Sequence, residues 1–228
     1  MTEMPVPPVP SSPPVPGYPA RLTIDAQASL SRASTIFRII LIIPIAFILH
    51  MLVSSGEGAV VVIDGAGDVA STTTSYGFGI LGTLFILTLL MILFRKVYPR
   101  WWFDFALNLH RFITRVTAYF LLLTDRYPST EDHQNVHLDL DYPDAKTQLN
   151  RGLPLVKWFL AIPHFFILFF LGIAVFVVVV LSWFAIIFTG RYPAAFFDFV
   201  VGYLRWSWRV QAYAILLATD KYPPFSLR

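Results

Sequence analysis

The chain has 228 residues, 56% hydrophobic and 14% charged, with a mean hydropathy of +0.64 and a formal net charge of +3. Soluble domains carry about 25% charged residues, so this composition excludes a chain whose whole surface faces water and reads as an integral membrane protein. Without a cysteine there is no disulfide framework, thiol nucleophile or zinc–thiolate site. The modest charge gives no reason to expect a nucleic-acid partner.

Residues 1–20, MTEMPVPPVPSSPPVPGYPA, are dominated by proline and serine. They read as a disordered or polyproline-II tail, either plainly solvated or carrying a PxxP ligand. RLTID at 21–25 alternates polar and apolar residues, which predicts a short strand; HLDLD at 137–141 echoes it. The two strands are expected to lie close together on one side of the membrane. Residues 33–53 form the first long apolar run, enough to cover a hydrocarbon core of roughly 30 Å. Arg38 near its start is expected to snorkel to the headgroups, and Pro44 to kink the helix. Residues 54–75, rich in glycine, serine and threonine, read as a loop with at most a short strand at 60–63. A second span is expected at 77–94, and a polar linker with a short strand at 129–150.

Residues 153–189 are almost wholly apolar. One helix of that length would reach about 55 Å, more than a bilayer needs, so two spans at 153–171 and 173–189 with a turn near Gly172 are expected.

An internal comparison supports this reading. Residues 98–128 (YPRWWFDFALNLHRFITRVTAYFLLLTDRYP) recur at 192–223 (YPAAFFDFVVGYLRWSWRVQAYAILLATDKYP), with one extra residue near Ala218. Roughly half the positions are identical, well above chance for such a window. Residues 32–44 also align with 151–163, Arg38 over Lys157. None of the seventeen lysines and arginines lies between Ile39 and Phe94. With a hairpin in the second half, all of them fall on one side, which the positive-inside rule places in the cytoplasm together with both termini. The expected fold is an all-α membrane protein. It has four transmembrane helices as two parallel repeats (21–128 and 151–228), each followed by an interfacial amphipathic helix (100–123 and 194–218), with short cytoplasmic strands.

Asp104, Asn108, Arg111 and Arg115 fall on one helical stripe; Asp198, Gly202, Arg205 and Arg209 are their counterparts. Tryptophan and phenylalanine around both stripes suit a headgroup boundary. Two readings stand. The helices are anchors whose arginines touch phosphates nonspecifically, or Arg111, Arg115, Arg205 and Arg209 converge into one anionic pocket oriented by Asp104 and Asp198. The ligand would be a lipid headgroup or the acidic segment of a partner protein. The Thr-Asp-Arg/Lys-Tyr-Pro endings are stop signals, although Asp125 and Asp220 offer carboxylates to a basic partner.

His50 and His164 lie inside apolar runs, where an ionisable residue raises the question of proton transfer or metal binding; neither has an acidic neighbour in its run. His133 and His137 have i, i+4 spacing, but in a segment that reads as loop and strand. No phosphate loop, HExxH or GxSxG motif occurs, so no cofactor, metal or catalytic residue is expected.

The duplicated RYPxxxFDF and TDxYPPF patterns, clearest at 191–199 and 209–225, resemble a bacterial, mainly actinobacterial, integral membrane family catalogued as domain-of-unknown-function family 4389. The resemblance covers nearly everything after Tyr18. It implies a multi-pass protein of the bacterial plasma (inner) membrane and no particular activity. The functional expectation is a noncatalytic scaffold or accessory subunit binding anionic lipid or a partner protein on the cytoplasmic face. A small transporter or channel subunit is the alternative, and an enzyme acting on a lipid comes third.

Overall fold

A computed structural model describes residues 17–53, 57–63, 69–76, 79–129 and 134–228. Among them, six α-helices and four strands follow the order β1 (Ala20–Ile24), α1 (Arg32–Val53), β2 (Glu57–Ile63), β3 (Val69–Tyr76), α2 (Ile80–Leu90), α3 (Arg100–Phe120), β4 (Val136–Leu140), α4 (Leu153–Leu160), α5 (Ile162–Thr189) and α6 (Ala194–Ala214). A π-helical turn, Met91–Arg95, extends α2.

The two short strands pair directly. β1 and β4 run antiparallel with Leu22 opposite Leu138 and Ala20 opposite Leu140. Their alternation buries Ala20, Leu22, Ile24, Val136, Leu138 and Leu140 on one face. This ribbon is the centre of a base. α3 packs against β4 and α6 against β1, and Phe103, Ala106, Val200, Val201 and Leu204 complete the core with the ribbon. Most of the proline-rich tail lies outside the described residues. Tyr18, counted with it from sequence, is buried, and its hydroxyl donates to Arg209 O and Lys221 O.

The two helices of the base begin and end alike. Pro99 and Pro193 stand immediately before them, where a fixed φ and a missing donor cost the helix nothing. Both end through a buried leucine in the left-handed region, Leu122 (φ 66°) and Leu217 (φ 55°). The extra residue of the second copy is absorbed at the end of α6, where Ile215 N and Leu216 N both donate to Gln211 O.

The expectation of four transmembrane helices in two parallel repeats is overturned. One stretch, 153–189, is long and apolar enough to cross a membrane, and the bent α1 makes at most a second. Gly172 does not turn the chain: it lies inside α5 with the Tyr203 hydroxyl 3.3 Å from where a Cβ would project. The physical reason is that an apolar run without polar turn residues has nothing to satisfy the amides a turn would release, whereas continued helix satisfies all of them. The rod breaks only at Ala161, ahead of Pro163. Length was a poor guide, because one stripe of the rod packs on the rest of the chain along its whole course: Lys157, Ala161, His164, Leu168, Val175, Ser182 and Ile186. The first half is built differently. α1 bends by 50° between Arg38 and Ile40, one turn before Pro44, whose ring meets the carbonyl four residues back. The expected loop after it contains the antiparallel β2–β3 hairpin. α2 with its π turn is too short to count as a span. With the halves unlike, the argument that put every basic residue on one side also falls.

Candidate functional site: two buried ion pairs and a base rich in arginine

Among the described residues four cations are almost wholly buried: Arg38 and Lys157 on the apolar helices and Arg205 and Arg209 on α6. Arg38 of α1 is 3% exposed and does not snorkel. Its Nη1 donates to Tyr119 O (2.9 Å) and Thr124 O (3.1 Å), and its Nη2 to Ser34 Oγ (3.2 Å) and to the Asp125 carboxylate. The guanidinium lies 4.6 Å from the Tyr119 ring centroid. Asp125 also accepts from Ser34 Oγ at 3.0 Å and from Ser31 N. Lys157 of α4 is wholly buried. Its Nζ lies 2.7 Å from Asp220 Oδ1, donates to Thr219 O at 2.9 Å, and stands 5.3 Å from the Tyr213 ring. Asn150 N donates to Asp220 Oδ2 at 2.7 Å. In both places the Thr-Asp ending turns back under its helix, with the threonine hydroxyl accepting from the amide two residues on. Sequence reasoning had aligned Arg38 with Lys157 and Asp125 with Asp220 without pairing cation to carboxylate. The signal was present, since a charge in an apolar run requires a partner.

The arginines singled out from sequence mostly clip the base together. Arg111 Nε donates to Leu138 O at 2.9 Å, and Arg205 Nε to Leu22 O at 2.9 Å. Each therefore holds one strand of the ribbon. Arg111 also reaches Asn108 Oδ1 (3.1 Å) and Asp139 (3.4 Å). Arg115 Nη1 donates to Ser129 O, and Arg209 Nη2 to Ser226 O, each at 2.5 Å. The four are not brought to one pocket. Arg111 and Arg115 line a cavity of about 410 Å³ with Asn108, Phe112, His137 and Asp139. Arg205 and Arg209 line a separate crevice with Tyr18, Arg21 and Arg228. Asp104 orients neither arginine of its stripe: it forms an exposed pair with Arg100 at 3.6 Å. Asp198 is exposed, and its charge acts on Arg205.

Burial pulls the Arg205 guanidinium below its ordinary pKa, opposed by Asp198. Burial does the same to Arg209, opposed by the Tyr18 phenol and reinforced by Arg205. Among the described residues no carboxylate pairs with Arg209, and its Nη1 is buried without an acceptor. The tryptophans of α6 do not face outward as a headgroup belt would. Trp206 and Trp208 are buried and donate to His164 Nδ1 (3.0 Å) and Asp139 O (3.3 Å).

Because indole is only a donor, His164 accepts at Nδ1 and carries its proton on Nε2. That atom is buried without a partner, and the ring stacks on Phe225 at 4.0 Å. His50 is exposed at the far end of α1. His137 faces Asp25 at 3.2 Å, whereas His133 lies outside the described residues. Among the described residues no group of three or more His, Asp and Glu has the arrangement of a metal site.

A comparison with protein families matches residues 154–226 to Domain of unknown function (DUF4389). Comparisons with curated proteins and with solved structures find no match. The matched segment contains the rod from Pro154 on, α6 and the Lys157–Asp220 pair, and of the crevice only Arg205 and Arg209.

Proposed function

We propose, from the premise that residues 154–226 form a DUF4389 domain, that the chain is a noncatalytic membrane-anchored scaffold or accessory subunit. Its base binds anionic lipid headgroups or a partner protein at the cytoplasmic face. The observation that carries this reading is the joining of two surfaces. Phe166, Phe169, Phe170, Phe176 and Phe188 of the rod are 54–76% exposed, and only 17% of its most apolar window is buried. A core helix of a soluble protein would be mostly covered. Packed along this uncovered rod is α6, whose buried Arg205 and Arg209 line a crevice against β1 together with partly exposed Arg21 and exposed Arg228; a cationic crevice joined to an apolar rod suits phosphate-bearing lipid.

The engagement of the ionisable groups supports a binding role over transport. Arg38 and Lys157 are locked in ion pairs and His164 is bonded to Trp206, so three of the four groups a permeation path would use are held in packing, and only His50 is exposed. The test is purification of the full chain in mild detergent followed by native mass spectrometry. Retained anionic lipid, or a partner in fixed stoichiometry, is the expected result. A chain that carries neither refutes the proposal.

A further inference from the structure

We infer that the crevice between β1 and α6 is a binding site for a phosphate group, an inference that rests on the anionic-ligand reading above and names its chemistry. The crevice is lined by Tyr18, Ala20, Arg21, Leu22, Arg205, Arg209 and Arg228: four arginines and no acidic side chain. Arg209 is the telling residue. It is 3% exposed; its Nε donates to Arg205 O at 3.3 Å and its Nη2 to Ser226 O, while Nη1 has no acceptor. Of the three other buried cations, Arg38 and Lys157 each have their own carboxylate, and Arg205 has the charge of Asp198 acting on it. Leaving a buried cation uncompensated is strongly destabilising, and an N–H deprived of an acceptor adds to that. Among the described residues Arg209 is therefore a cation without a counter-charge, a role that falls to a bound anion.

The shape selects the ligand. The void is about 10 Å³, room for roughly one oxygen-sized atom. A ligand inserts one oxygen towards Arg209 and leaves its other charged oxygens at the mouth. There stand Arg228, which is exposed, and Arg21, whose side chain is 42% exposed and paired with Asp141. Several oxygens around one centre, offered to guanidinium groups on different sides, describe a phosphate better than a flat carboxylate. Arg205 forms the wall, with its Nε on Leu22 O. Tyr18 closes another side, its hydroxyl committed to the carbonyls of Arg209 and Lys221. The group can belong to a lipid phosphodiester or to a soluble phosphate monoester.

The experiment uses the full chain in detergent and in vesicles. Calorimetry with glycerol 1-phosphate reads the soluble source; flotation with phosphatidylcholine vesicles, with and without phosphatidylglycerol, reads the lipid source. Arg209→Gln is expected to weaken binding tenfold or more. Because Arg209 also holds Ser226, the mouth variant Arg21→Gln with Arg228→Gln is measured beside it, with an expected three- to tenfold loss. Arg100→Gln, on an exposed pair of α3, is expected to change nothing. Binding to phosphatidylglycerol alone assigns the site to lipid; heat with glycerol 1-phosphate as well admits the soluble group. If both crevice variants bind like the unaltered chain, the site is refuted while general anionic-lipid binding stands. No preference for phosphatidylglycerol, no heat and no copurifying partner refute both.

Discussion

The Lys157–Asp220 pair allows a quantitative test of what holds the rod to the base. The perturbation is Asp220→Asn, which keeps the shape and removes the charge. At 2.7 Å and an effective dielectric near 20, the gross attraction is roughly 6 kcal/mol, offset by the cost of desolvating both ions. Removing one partner of a buried pair typically costs about 3–5 kcal/mol. Asp220 is 21% exposed, and Lys157 keeps Thr219 O and the Tyr213 ring, which points to the lower end, about 3 kcal/mol. For a chain of this size that lowers the melting temperature by roughly 6–12 °C. Lys157→Met should be milder, about 1 kcal/mol or less, because methionine fills the apolar site and the partly exposed carboxylate keeps water and Asn150 N. The double variant should resemble Lys157→Met alone, giving a coupling of about 2 kcal/mol or more. The assay is thermal unfolding in detergent followed by size-exclusion fluorescence, with Asp141→Asn, from the exposed pair with Arg21, as the surface reference at under about 1 kcal/mol. If Asp220→Asn falls no further than Asp141→Asn, the pair is not what fastens the rod.

Three further outcomes are expected. Lys96 occupies the left-handed region (φ 50°) after the π turn, so Lys96→Gly should raise unfolding stability by about 0.5–1 kcal/mol in denaturant titration; a loss would contradict it. A Cβ at Gly202 would stand 2.7 Å from Leu227 O and 2.9 Å from Leu227 Cβ. Gly202→Ala should therefore displace the segment after Tyr222 at a cost of about 1–3 kcal/mol, seen as faster hydrogen exchange at 224–228, and unchanged exchange there would argue against the contact. His110 is buried, donates from Nδ1 to Ala106 O, and is held by burial below its ordinary pKa, with that hydrogen bond opposing. The unfolded chain takes up the proton first, so stability is present above about pH 6.5 and declines as pH falls below it. His110→Leu should flatten that decline, and identical slopes would exclude His110 as its source.

Local chemistry carried much of the base into view. Alternation at 21–25 and 137–141 marked the ribbon, Tyr-Pro marked the starts of α3 and α6, and Thr-Asp marked where their ends turn. The rod was misjudged because an unbroken apolar run holds no information on whether it folds back; an argument from bilayer thickness replaced one from turn chemistry. The polar stripe of α6 was correctly placed on one face but given the wrong neighbour. Arg205 faces a strand rather than lipid or solvent, since the carbonyls along the edge of a two-stranded ribbon need donors, and periodicity cannot say which element supplies them. Tryptophan misled for a related reason. At 206 and 208 it sits on a helix contacted from several sides, by α4, α5 and β1, and such a helix buries aromatic residues that a singly contacted one would leave at the surface. Arg228 and Tyr18 were missed because nothing local distinguishes them; they matter only through what the fold puts beside them.

The clip from Arg205 to Leu22 spans 183 residues of chain. At a synthesis rate of about 5–20 residues per second, the first strand emerges roughly 10–40 seconds before the helix that receives it. Within that interval α3 and β4 are also made, so β1 has its pairing strand and part of its core before α6 arrives. The order of assembly thus follows connectivity: the ribbon has both its strands once β4 is made, and the clip from α6 is among the last contacts to close.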